Sequence, residues 1–109
     1  MNPAQRKRAL ESFNGYLHHD WVPLRVAVTC ANESVGFDDL LVVTPHVLEF
    51  VSALIDEENL SVGCLDEAGK FTQWPGSRAE IKHRVLDAMQ EGHIAPECET
   101  VWFDRPVEN

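Results

Sequence analysis

Cysteines, histidines and clustered carboxylates are the residues of this chain that could do chemistry. Cys30, Cys64 and Cys98 stand at equal intervals of 34 residues. Their flanks, Val28-Thr29-Cys30-Ala31, Val62-Gly63-Cys64-Leu65 and Glu97-Cys98-Glu99, share no pattern, so the spacing implies no repeat. An odd number of cysteines without a Cys-x-x-Cys pair does not suit a secreted disulfide scaffold, and the three read as reduced thiols. Nucleophilic catalysis needs a thiol or hydroxyl beside a positioned base, and no Gly-x-Ser-x-Gly elbow is present. Cys64 falls in a strand pattern, and Cys98 lies between two carboxylates that oppose a thiolate. His18 and His19 are adjacent and point to different sides of a helix, while His46, His83 and His93 lack a metal-ligand spacing such as His-Glu-x-x-His. Gly63, Gly69 and Gly76 are too scattered to cradle a phosphate. These residues predict no catalytic set, no metal site and no cofactor. A small enzyme built on Cys64 or on a carboxylate pair such as Asp38-Asp39 stands as an alternative.

The carboxylates say more as a group. Nine Lys and Arg face eighteen Asp and Glu, a formal net charge of −9. No Lys or Arg occurs between Arg25 and Lys70, where Glu33, Asp38, Asp39, Glu49, Asp56, Glu57, Glu58, Asp66 and Glu67 all fall. Such a surface repels phosphate backbones and anionic lipid, and it attracts basic surfaces over a Debye length of ~8–10 Å. Nucleic-acid and membrane binding are therefore not expected. The same acidity also serves solubility.

The elements that must position these residues follow from capping and periodicity. Asn2-Pro3 with Gln5 starts a helix over roughly 3–18, with Leu10, Phe13 and Leu17 on one face. The stretch 20–35 reads equally as a helix capped by Asp20, burying Trp21, Leu24, Val28 and Ala31, or as a strand alternating Leu24, Val26, Val28 and Cys30. A loop follows at Gly36-Phe37-Asp38-Asp39. Thr44-Pro45 opens a second well-marked helix with Val47, Leu48, Val51, Leu54 and Ile55 as its apolar face, stopped at Asn59. Ser61–Leu65 and Lys70–Trp74 flank Asp66-Glu67-Ala68-Gly69 as a β-hairpin. Ser77-x-x-Glu80 is a capping box for a further helix that buries Ile81, Val85, Ala88 and Met89 and ends by Gly92. Thr100–Phe103 reads as a last strand or ordered tail. With 109 residues and 44 % hydrophobic content this is one domain. The expected fold is α/β of the α+β type, a small winged-helix-like domain of three helices, a hairpin, a further helix and a C-terminal strand. No apolar run is long enough to span a bilayer, and the polar residues after Arg8 do not suit a secretory signal, so the cytoplasm is the expected location.

Asp20-Trp21-Val22-Pro23-Leu24, Leu60-Ser61-Val62-Gly63, Gly69-x-Phe71-x-x-Trp74, the Ser77-x-x-Glu80 helix with Arg84, and Thr100-Val101-Trp102-Phe103 together resemble, by order and spacing, a group of small bacterial proteins. Some of its members look like immunity proteins of polymorphic toxin or contact-dependent growth inhibition systems. The similarity covers roughly 20–104. It implies the helical option for 20–35, and a protein that neutralises a cognate toxin domain inside the producing cell. Such domains are often basic nucleases. Charge then nominates Asp38, Asp39, Glu49, Asp56, Glu57, Glu58, Asp66 and Glu67 as partner-binding residues, with Trp74 or Phe71 as the aromatic anchor. An acidic homodimer is the other alternative, favoured if the helix after Pro45 exposes an apolar face.

Overall fold

The computed structural model describes residues 1–90 and 100–106. Gly92, His93 and Cys98, singled out above, lie outside the described residues.

Helix α1 spans Pro3–Leu17, and its N-terminus is closed by the reciprocal capping box that Asn2 and Gln5 predict. Its buried residues are Ala9, Phe13 and Leu17, with Leu10 packed at the edge. The ambiguous stretch resolves as the helix from Leu24 onward, and Leu24, Val26, Val28 and Cys30, which also fit a strand alternation, all lie in it. Strand β1 (Val22–Pro23) leads directly into α2 (Leu24–Ser34). The helix starts after Pro23, which offers no side-chain cap, and the Leu24 N–H donates instead to the Val101 carbonyl at 3.0 Å. Asp20 is therefore not the cap. Its carboxylate accepts from the neighbouring Trp21 N–H. Leu24, Val28 and Ala31 are buried as the helical reading expects, and Trp21 is half-buried.

Helix α3 (Pro45–Asp56) is capped by Thr44, and Asn59 at φ 55° ends the turn that follows it. Its buried face is Val47, Phe50, Val51, Leu54 and Ile55. Leu48, expected on that face, is 39 % exposed, and Phe50 fills the core in its place. Strands β2 (Ser61–Leu65) and β3 (Phe71–Gln73) form the hairpin. Asp66 shapes its turn by accepting from the Ala68 and Lys70 N–H groups at 2.9 Å each, with Gly69 at φ 78°. Helix α4 (Arg78–Ala88) carries the Ser77–Glu80 capping box and buries Val85.

Residues Trp102–Asp104 form strand β4, which takes an interior place in an antiparallel sheet of order β1-β4-β2-β3. A strand so near the end of the sequence is thus central to the sheet, because both Val22 and Val62 pair with Phe103. Phe13 stands at the middle of the core, edge-on to Phe50 and Phe103 at 6.2 and 5.7 Å. Burying aromatic rings of this size, at roughly 1.5–3 kcal/mol each, is the main force holding helices to sheet. The architecture is an α+β domain of four helices and a four-stranded antiparallel sheet. Among the described residues no helix is long and apolar enough to cross a membrane.

Candidate functional site

The acidic residues nominated from the sequence separate into three places. The first is the C-terminal end of α3, a position where carboxylates oppose the helix dipole. Cations from other helices meet them there. Arg6 of α1 pairs with Glu57, and Lys82 of α4 pairs with Asp56 at 2.6 Å. Arg78 donates to the Asn59 side chain and to the Asp56 carbonyl. About two turns earlier on α3, Glu49 borders the same hollow as Arg6, Asp56 and Glu57 and accepts from the Met1 amino group at 3.1 Å. Glu58 is exposed beside this cluster with no ion pair among the described residues. The second place is the hairpin turn, where Asp66 and Glu67 are exposed and Asp66 is occupied with backbone N–H groups.

The third place is the loop between α2 and α3, which carries Asp38 and Asp39, both exposed. Its position is fixed by Asn32, a residue with 0 % exposure on α2. The Asn32 amide donates to the carbonyls of Val42 (2.8 Å), Leu40 (3.2 Å) and Asp39 (3.5 Å). Its Oδ1 accepts from the Thr44 hydroxyl (3.2 Å) and from His46 Nε2 (2.7 Å). Only one amide orientation satisfies this set, since three carbonyls require donors, and His46 must then carry its proton on Nε2. Burial, followed by the Met1 amino group, lowers the His46 pKa, with Glu49 acting the other way. Phe37 closes over the His46 ring edge-on at 6.0 Å. Asn32 carries no sequence signal except that it is a polar residue inside the apolar stripe of α2.

The two nominated aromatics diverge. Trp74 is 8 % exposed and belongs to the core, with the Arg84 guanidinium over its ring at 3.8 Å. Phe71 is half-buried on β3 and stacks with Trp21 at 6.3 Å. These residues sit at opposite edges of the sheet, so their rings meet across the face that does not carry Val22, Val62 and Phe103. The large apolar side chains most open to solvent are instead Tyr16 (57 %), Leu41 (50 %), Leu48 (39 %) and Phe37 (38 %). Tyr16 and Leu41 line a groove of about 430 Å³ between α1 and α2, with Ser12, Val26, Thr29 and Cys30 as floor and walls and with Arg25 and Glu33 also bordering it. Neither Tyr16 nor Leu41 stands out from periodicity, because a single exposed apolar residue is ordinary.

The thiols and histidines do not converge. Burial, and after it the charge of Glu33, pushes the Cys30 thiol up to about 11. Cys64 is half-buried in β2. The His18 and His19 rings touch edge-on at 5.5 Å. Among the described residues no group of three or more His, Cys, Asp or Glu could hold a metal ion.

Fold and surface together define a small α+β domain of strongly acidic net charge, with Arg6 and Lys82 held in ion pairs and Lys7, Arg8, Lys70 and Arg105 exposed. Comparison with known protein families, with curated protein sequences and with solved structures returns no match.

Proposed function

We propose that this chain is a cytoplasmic protein-binding module without catalysis of its own, an immunity-type protein that binds and neutralises a basic toxin domain. The supporting observation is the excess and placement of its carboxylates. Eighteen Asp and Glu face nine Lys and Arg, no Lys or Arg lies between Arg25 and Lys70, and Asp38, Asp39, Glu58 and Glu67 in that stretch are exposed with no ion pair among the described residues. A surface of this kind steers an electropositive protein toward it and can raise association from about 10⁵–10⁶ to 10⁸–10⁹ M⁻¹s⁻¹ at low salt.

The element order helix, strand, two helices, hairpin supports a winged-helix-like build, with β4 inserted between β1 and the hairpin and α4 following the hairpin. In such a build α3 is the helix that would meet a duplex. Here α3 has no Lys or Arg and exposes Glu49 and Asp56, so the build serves as a scaffold and nucleic acid is not the partner. A homodimer through α3 is the weaker reading, because Leu48 is the one large apolar side chain that α3 leaves exposed.

The test is co-expression with a basic toxin domain encoded beside this gene. Restored growth, a co-purifying complex and an association rate that falls steeply between low and physiological salt are expected. Growth arrest undiminished by the protein would sink the reading.

A further inference from the structure

We infer that the groove between α1 and α2 is the partner's docking site, and that its occupant is a large apolar side chain followed by a cation on a basic protein. The inference rests on the protein-binding reading above and selects one surface among the three acidic places.

The carboxylates at the C-terminal end of α3 are poor candidates, since Asp56 and Glu57 are already held by Lys82 and Arg6. A partner cation there would displace an internal one for little net gain. The groove differs in three respects. It is concave and apolar, with Tyr16 and Leu41 at least half-exposed along its border. Such a hollow accepts a hydrophobic anchor, the feature that dominates binding energy at protein interfaces. It is also preorganised. Leu41 belongs to the loop whose carbonyls at 39, 40 and 42 are all held by the buried Asn32 amide, so little order remains to be imposed on binding.

Its charge is graded as well. Arg25 lies in the first turn of α2 and Glu33 in the last, roughly 12 Å apart at 1.5 Å per residue. The Asn32 amide holds the Asp39 and Leu40 carbonyls, which keeps Asp39, and Asp38 beside it, near the Glu33 end. The carboxylates of Glu33, Asp38 and Asp39 therefore favour a cation at that end of the groove. An apolar residue in the hollow with Arg or Lys beyond it matches this grading.

The test uses nuclear magnetic resonance on the isotope-labelled protein with a capped tetrapeptide, Trp-Leu-Arg-Lys, and a control in which Glu replaces both cations. Saturable shifts at Ser12, Val26, Thr29 and Leu41 are expected with the basic peptide. Binding should weaken about tenfold in Leu41→Asp, Tyr16→Ser and the double variant Asp38→Lys/Asp39→Lys. It should be unchanged in Glu67→Lys. All these positions are surface-exposed, and unaltered thermal melting confirms that each variant folds. Shifts centred on the hairpin, equal binding of the Glu peptide, or no saturable binding would overturn the groove. So would a dimer in sedimentation that Leu41→Asp dissolves, which would assign the groove to a second copy of the chain. Failure of the co-expressed protein to restore growth, with the peptide still bound in the groove, would sink the toxin reading alone.

Discussion

Replacing Asn32 tests whether one buried side chain holds the acidic loop in place. Five hydrogen bonds meet at this residue, of which the contact at 3.5 Å to the Asp39 carbonyl is at the limit of geometry. The other four are sound, at 2.7 to 3.2 Å. At about 1 kcal/mol net for each, their loss totals about 4 kcal/mol. Water entering the vacated space can satisfy some of the stranded carbonyls, so Asn32→Ala should cost about 3 kcal/mol. That is a large part of the 5–15 kcal/mol typical of a domain. With a urea slope near 1.5 kcal/mol per M, the unfolding midpoint should fall by about 2 M. Asn32→Asp is the sharper probe, because it keeps the shape and the acceptor but turns a carboxylate toward three carbonyl oxygens. At neutral pH it should destabilise more than Asn32→Ala. A loss below about 1 kcal/mol for Asn32→Ala, or an Asp variant milder than Ala, would refute the claim that the amide donors organise the loop.

Other substitutions probe neighbouring parts of the argument. A Cβ at Gly63 would lie 2.0 Å from the Thr72 carbonyl oxygen, which is backbone and cannot swing aside. Gly63→Ala should therefore force β2 and β3 apart and cost about 3 kcal/mol or more, read by urea unfolding. His46 has its folded pKa below the usual imidazole value of about 6.5. Its protonation thus favours the unfolded chain, and stability present above pH 6.5 should decline as pH falls through the folded value. Urea midpoints from pH 7.5 to 5.5 should fall less in His46→Gln than in the wild type. With its thiol raised to about 11, Cys30 should be alkylated by iodoacetamide at pH 8 at least about 100-fold more slowly in the folded protein than in guanidinium. Lys82→Ala, which removes a half-exposed ion pair, should change stability by less than about 1 kcal/mol.

The sequence made legible whatever depends on neighbours within a few positions. The caps at Asn2, Thr44 and Ser77, the left-handed stop at Asn59 and the Asp66–Gly69 turn all form from residues within five places of each other. What escaped depends on distant partners. Strand β1 is two residues long and exists because Val22 and Pro23 pair with Phe103 and Trp102, about eighty positions away. Periodicity over 20–35 therefore fitted a helix and a strand equally, yet the strand alternation of Leu24, Val26, Val28 and Cys30 falls wholly within α2, and β1 lies before it. Leu48 fits the helical stripe as well as Phe50 does, and only the packing of Phe13 against Phe50 decides between them. The acidic candidates were legible as residues, but their availability was not. Glu57 and its partner Arg6 stand fifty-one positions apart.

Pairing of this kind changes what the net charge means. Asp56, Glu57 and Glu58 follow one another at the negative end of the α3 dipole, and α3 has no basic residue in its last turn. Left alone, each carboxylate would destabilise the helix by a few tenths of a kcal/mol to about 1 kcal/mol. Arg6 from α1 and Lys82 and Arg78 from α4 offset this, and they draw the three helices together as they do so. This acidic run works as a joint of the fold. Asp38 and Asp39 stand on a different footing, because the loop that carries them is held from beneath by a neutral amide, and the one bond their carboxylates make within it, from the Leu41 N–H to Asp39, is long at 3.4 Å. Carboxylates that the fold does not need are the ones free to be shaped by a partner. The search for function in this surface therefore belongs at the loop and the groove beside it.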